Sequence, residues 1–279
     1  MTRILAIHGV RNYKNGDPPI SESLRIGATW HAALTPRLPT LRAADLRAAY
    51  YADLLRSDTQ GTNQADSDDA EQMLTAELLN QWAAAWQADL SGVQGPITAP
   101  LRHIAGHIAA RSAGRTDARL VENTARLFFP EVARYLGYAR DGRSRRHSVR
   151  RRVAEALTSC RPQIVIAHSL GSVVAYEVLH AYPHIQIDLL ITLGSPLALP
   201  GAIFERLDPA PLAGLGSKPA SVKRWVNLAD TGDFIAVPKG TLVQRFAGLD
   251  EHHEITIGPI ASHDVTKYLA HQKVIETLR

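Results

Sequence analysis

The stretch Ile164-Val165-Ile166-Ala167-His168-Ser169-Leu170-Gly171-Ser172-Val173-Val174-Ala175 decides how the rest of this 279-residue chain is read. Its first four residues are apolar and mostly β-branched, which suits a buried strand. The turn His168-Ser169-Leu170-Gly171 follows at once, and small and apolar residues then continue as a helix. A strand that turns this sharply sets a serine at a helix N-terminus, where free amides and the helix dipole favour negative charge. Only small residues fit two places before and after such a serine, and Ala167 and Gly171 occupy those positions.

Outward from this unit, strands and helices alternate. Ile4-Leu5-Ala6-Ile7 reads as a short buried strand ended by His8-Gly9, and residues 11–21 carry loop chemistry. A helix is expected over about 23–34 and a strand over 45–51. After 147 the alternation resumes: a basic amphipathic helix over 147–159, strands over 163–167, 187–193, 222–228 and 254–257, and a closing helix over 264–278. This pattern predicts an α/β fold with a mainly parallel central sheet and helices on both faces. Residues 56–146 differ, since no strand candidate falls there. Apolar residues at helical spacing (Met73, Leu74, Leu78, Leu79, Trp82, Trp86, Leu90) predict one helix, with others over 101–110 and 120–136. Pro130 is expected to end one helix and start another. The chain therefore divides into a core of 1–55 and 147–279 and a helical insertion of 56–146.

The segment around Ser169 resembles the nucleophile elbow of the α/β-hydrolase superfamily, particularly its lipase-like and esterase-like branch. The resemblance covers 1–55 and 147–279 and implies an α/β-hydrolase fold with the insertion as a cap or lid. It implies Ser169 as nucleophile, with the amide of Leu170 as one oxyanion donor. The second donor follows the His8-Gly9 turn, so Val10 is expected, with Gly9 in reserve. Chain order in this fold runs Ser, Asp or Glu, then His. Gly232-Asp233-Phe234-Ile235-Ala236-Val237-Pro238 resembles the family's acid turn, so Asp233 is expected over Asp230. His263 is expected as the base, with His253 in reserve. Ser195, in Leu193-Gly194-Ser195-Pro196, shapes the site floor and has no helix after it.

The reaction so implied is hydrolysis of an ester or related acyl bond on a small-molecule or lipid-like substrate. An acyltransferase, a cyclising thioesterase and a non-catalytic binding protein of the same fold share these features and stay open here, as does the oligomeric state. The apolar face of the insertion, with Trp82, Trp86, Phe128 and Phe129, is expected to cover the site and could line an acyl pocket, while each aromatic taken singly is expected to be core packing. No cofactor and no metal is expected: there is no His-Glu-x-x-His helix, P-loop or Gly-x-Gly-x-x-Gly turn.

Composition narrows the remaining classes. An apolar fraction of 45% with 21% charged residues is that of a soluble folded protein, neither disordered nor collagenous. A single cysteine, Cys160, cannot form an internal disulfide and fits a reducing compartment. No apolar run reaches the roughly 20 residues of a membrane span, and no signal segment is visible, so a cytoplasmic location is expected. The formal charge of +4 owes much to Arg140, Arg143, Arg145, Arg146, Arg150, Arg151 and Arg152. Without a zinc-ligand, helix-turn-helix or RNA-binding signature nearby, this cluster reads as a solvated loop and helix start, and no nucleic-acid partner is expected.

Overall fold

A computed structural model of the chain describes residues 3–13, 16–56, 65–88, 98–111, 117–139, 141–236, 241–258 and 263–279. Leu90, Arg140, Val237, Pro238 and residues 260–262 lie outside this set. In chain order, β1 (Ile4–Ile7), α1 (Pro19–Leu34) and β2 (Leu46–Ala49) come first. The insertion supplies α2 (Ala65–Ala85), α3 (Thr98–Arg111) and α4 (Ala118–Leu136). Then follow α5 (Arg145–Cys160), β3 (Ile164–His168), α6 (Leu170–Ala181), β4 (Ile187–Leu193), β5 (Gly216–Ser217) and β6 (Val222–Asp230). The chain closes with α7 (Thr241–Arg245), β7 (Phe246–Ala247), β8 (Glu251–Ile255), α8 (Val265–Ala270) and α9 (Gln272–Leu278).

Six strands form one sheet in the order β2-β1-β3-β4-β6-β8, every neighbouring pair parallel. The expected α/β architecture with a parallel sheet is thus present. Alternate side chains separate two apolar layers. Leu5, Ile7, Val165 and Leu190 face α2 to α6, while Ile4, Ala6, Ile166 and Ile191 join Ile26, Trp30, Leu269 and Val274 from α1, α8 and α9. Both faces are covered, as burial of parallel strands requires. The strand after β1 lies on one side of it and β3 on the other. The order therefore reverses at the β1/β3 boundary, and the crevice beyond their C-terminal ends is where ligands bind in open α/β sheets.

Four readings differ from expectation. α1 begins at Pro19, inside the stretch 11–21 expected as loop. Pro130 does not break α4, which runs unbroken through it. Phe128, Phe129, Val132, Ala133 and Tyr135 around it are all buried, and that packing outweighs the roughly 3 kcal/mol cost of an interior proline. The closing helix is two helices, split where His271 leaves helical geometry and its ring caps the amide of Lys273. The last strand begins earlier, at Glu251, so His252 and His253 lie within it.

The insertion shares its core with the sheet: Leu78, Trp82, Ile104, Val121 and Phe129 belong to the same apolar cluster as Leu5, Val165 and Leu190. The arginine cluster divides: Arg143 pairs with Asp141 and Arg151 with Glu155 at the exposed surface, as a solvated loop and helix start should, while Arg146 pairs with the fully buried Glu177, Arg150 with Asp208 and Arg152 with Asp53. Glu177 also accepts the Tyr135 hydroxyl at 2.5 Å, which ties α4, α5 and α6 together. Removing one partner strands a buried charge. Arg146→Met should cost about 3–5 kcal/mol in urea denaturation, and the double variant with Glu177→Leu should recover part of it. A loss below about 1 kcal/mol would show that the pair braces nothing.

Candidate active site

Ser169 sits at φ 55°, ψ −131°, between the end of β3 and the first turn of α6. This strained geometry is affordable only if the helix start can press against β1. Gly171 makes that possible: a methyl there would lie 2.3 Å from the carbonyl oxygen of Ile7. Leu170 opens α6, so its amide has no intrahelical acceptor and faces the ligand end of the turn.

The expected nucleophile, base and acid come together in one hydrogen-bonded line. Ser169 Oγ lies 2.6 Å from His263 Nε2, and His263 Nδ1 lies 2.7 Å from Asp233 Oδ2. Asp233 and the His263 ring are both buried, and Ser169 is 0% exposed. Gly194 at φ 52° lets the pair approach, since a Cβ there would meet Asp233 Oδ2 at 2.7 Å. The reserve residues lie elsewhere. Asp230 accepts the amides of Gly232 and Ile257, and His253 hydrogen-bonds Glu251. Ser195 Oγ meets Ser172 Oγ at 2.7 Å beneath the turn, as a floor residue should.

Burial alone would raise the Asp233 carboxyl. Attraction to His263, hydrogen bonds from His263 and Tyr268, and the Ile235 amide outweigh it and hold the group below the usual carboxylate range. Tyr268 carried no local signal in the sequence. Its hydroxyl donates to Asp233 Oδ2 at 2.7 Å while accepting the Asp230 amide at 2.7 Å. Burial, then the Asp233 charge, pushes its own ionisation well above the ordinary phenol range, so it stays a donor.

The loop after β1 is clamped by its carbonyls. His8 Nδ1 donates to Gly9 O at 2.7 Å, and Asn12 Nδ2 donates to Gly9 O and Val10 O at 3.0 and 3.1 Å. In a trans peptide the N–H points opposite to the C=O. Pinning the Gly9 carbonyl therefore aims the Val10 amide the other way. Tyr51 adds a bond from its hydroxyl to His8 O at 2.5 Å, and its amide donates to His8 Nε2 at 3.3 Å. These contacts require a neutral His8, and burial lowers its pKa to about 4. His168, beside His263 with ring centroids 4.6 Å apart, is likewise held neutral, by burial and then by His263.

A cleft of about 510 Å³ opens beside these groups, lined by Gly9, Val10, Asn12, Thr124, His168 and His263 among others. Trp82, Phe128 and Phe129 are fully buried, and the indoles of Trp82 and Trp86 both donate to Phe234 O, at 2.9 and 3.3 Å. Core packing, the reading preferred for each of these aromatics singly, is the one their burial and bonds support. Among the described residues no cluster of His, Cys, Asp or Glu is disposed to hold a metal ion, and no helix is long and apolar enough to cross a membrane. Compared with known proteins, the chain matches no family model, no curated protein and no solved structure.

The His8 arrangement makes stability depend on pH. In the unfolded chain the imidazole takes its proton near 6.5, in the folded chain only near 4. Its contribution is complete above 6.5 and is lost as pH falls from 6.5 towards 4, to a limit of about 3 kcal/mol. Urea titrations between pH 7 and 4.5 should show a steeper loss in the wild type than in His8→Leu. Parallel curves would mean that His8 does not carry the effect.

Proposed function

We propose that the chain is a serine hydrolase of the α/β-hydrolase type, cleaving an ester or related acyl bond through an acyl-enzyme. The observation that carries this reading is the buried line Ser169–His263–Asp233, with Gly9 of the loop after β1 packed against Ser169. A serine hydroxyl is a weak nucleophile alone and needs a base held in one tautomer by an acid. Asp233, ionised and accepting from Nδ1–H, leaves Nε2 of His263 free to take the Ser169 proton.

As Oγ adds to the carbonyl carbon, charge moves onto the carbonyl oxygen. The amides of Leu170 and Val10 stabilise it there, an effect of about 3–4 kcal/mol for one well-placed donor. Collapse expels the alcohol, which receives the proton from His263. Water then repeats the sequence on the acyl-enzyme and frees Ser169. The cleft wall is mixed, with Val10, Trp30, Leu120 and Val265 beside His8, Asn12 and Thr124, and its volume of about 510 Å³ is that of a small-molecule site, which favours a short acyl group over a long chain.

A fluorophosphonate probe should label the intact protein and leave Ser169→Ala unlabelled; equal labelling of both would sink the serine-nucleophile reading. On p-nitrophenyl esters, turnover should be at least tenfold faster for the butyrate than for the palmitate. The opposite order would show that the site takes long acyl chains.

A further inference from the structure

We propose that Glu131, on the helical insertion, is a positioning residue for the oxyanion loop. The inference rests on the serine-hydrolase reading above. Leu120, Thr124, Phe128 and Glu131 are spaced four, four and three apart along α4, which places them on one face of the helix. Leu120 and Thr124 line the cleft, and Phe128 stands edge-on to the His263 ring, centroids 6.4 Å apart. Glu131 Oε1 accepts the backbone amide of Arg11 at 2.8 Å. One helix face thus touches the cleft wall, the base and the loop that carries the Val10 amide.

The contact falls where the loop needs it. Arg11 has φ 67°, a left-handed conformation that a residue with a side chain adopts only when its surroundings enforce it. The peptide joining Val10 to Arg11 is gripped at both ends: its carbonyl accepts from Asn12 Nδ2, and its N–H donates to Glu131. Asn12 belongs to the loop itself, so it shapes the turn without fixing it in the molecule. Glu131 fixes this peptide to the insertion, as Tyr51 fixes the His8 carbonyl to the end of β2. With both anchors in place the intervening Gly9–Val10 peptide cannot swing, and its N–H stays aimed at the oxyanion position.

The Glu131 carboxyl is half-buried. Burial raises its pKa to about 7, against the pull of the Arg11 amide and the charges of Arg134 and Arg11. Arg134 is itself paired with Glu71 at 2.8 Å, which leaves the carboxyl oxygen to the loop.

The test uses the full chain and p-nitrophenyl butyrate. Glu131→Leu should lower kcat at least tenfold with KM changed less than twofold. It should weaken a boronic-acid transition-state mimic by a similar factor. Glu131→Gln, whose amide oxygen can accept the same bond, should keep kcat within about threefold. Should Glu131→Leu fail to fold, Glu131→Asp, one methylene short of the Arg11 amide, carries the same expectation. If wild-type Ser169 labels with fluorophosphonate but these variants keep kcat, or if Gln and Leu lose equally, the positioning role alone is overturned. If wild-type Ser169 does not label, the hydrolase reading and this inference fall together.

Discussion

The first turn of α6 lies almost against the end of β1, and the rest of the site is arranged around that closeness. A single methyl at Gly171 would overlap the carbonyls of Ile7 and His8, so the approach exists only because glycine stands there. It brings two separate chain segments to the same point. Ser169 arrives from β3 and the Gly9–Val10 peptide from β1, on the two sides of the boundary where strand order reverses. Neither segment is held by sequence proximity to the other, since 160 residues separate them along the chain. The parallel register of β1 with β3, pairing Ile7 with Ala167, is what sets their spacing.

A buried carboxylate just beyond the end of β6 orients the base, and its electrostatics follow from the donors around it. Asp233 has lost its water, which by itself favours the neutral acid. Oδ2 accepts from His263 and Tyr268, and Oδ1 accepts the amides of Ile235 and Ala236 at 2.9 and 3.3 Å. With these donors the charge is retained without solvent, so it can orient His263 and stabilise an imidazolium as it forms. These donors come from the acid turn itself, from α8 and from the loop before it, so the carboxylate joins elements that follow β6 and β8. Phe234, next to Asp233, has its carbonyl held by two indoles from α2 and the residue after it. The insertion is thus joined to the acid turn as well as to the loop after β1.

How much of this was legible depended on whether the governing signal was local. The strand and turn at 164–171 were readable because periodicity, β-branching and the placement of small residues all act within a dozen positions. The choice of Asp233 over Asp230 followed the resemblance of 232–238 to an acid turn, that of His263 over His253 followed family position and chain order, and the geometry brings Asp233 and His263 together. Tyr268 and Glu131 were invisible: each acts through a partner tens or more than a hundred positions away, and neither residue type marks its role. The cap aromatics were ambiguous for a related reason. A tryptophan at helical spacing looks alike whether it faces a pocket or a core, and only tertiary packing sends Trp82 inward. Pro130 shows the converse, a strong local rule overridden by the burial of the residues on either side of it.

A cap that swings freely would bury its own apolar residues against each other and meet the rest of the molecule through a polar seam. Here the opposite holds. The insertion's Trp82 and Phe129 lie in one apolar cluster with Leu5 and Val165 of the sheet, and Glu131 of α4 accepts the Arg11 amide of the loop after β1. Separating the insertion from the sheet would expose this shared surface at about 25 cal/mol per Å² of apolar area. Large rigid-body opening is therefore disfavoured, and access to the buried Ser169 is better served by small shifts of side chains around the cleft than by hinging of the whole insertion. Substrate selection and the geometry of the reacting groups would then rest on the same packed helices.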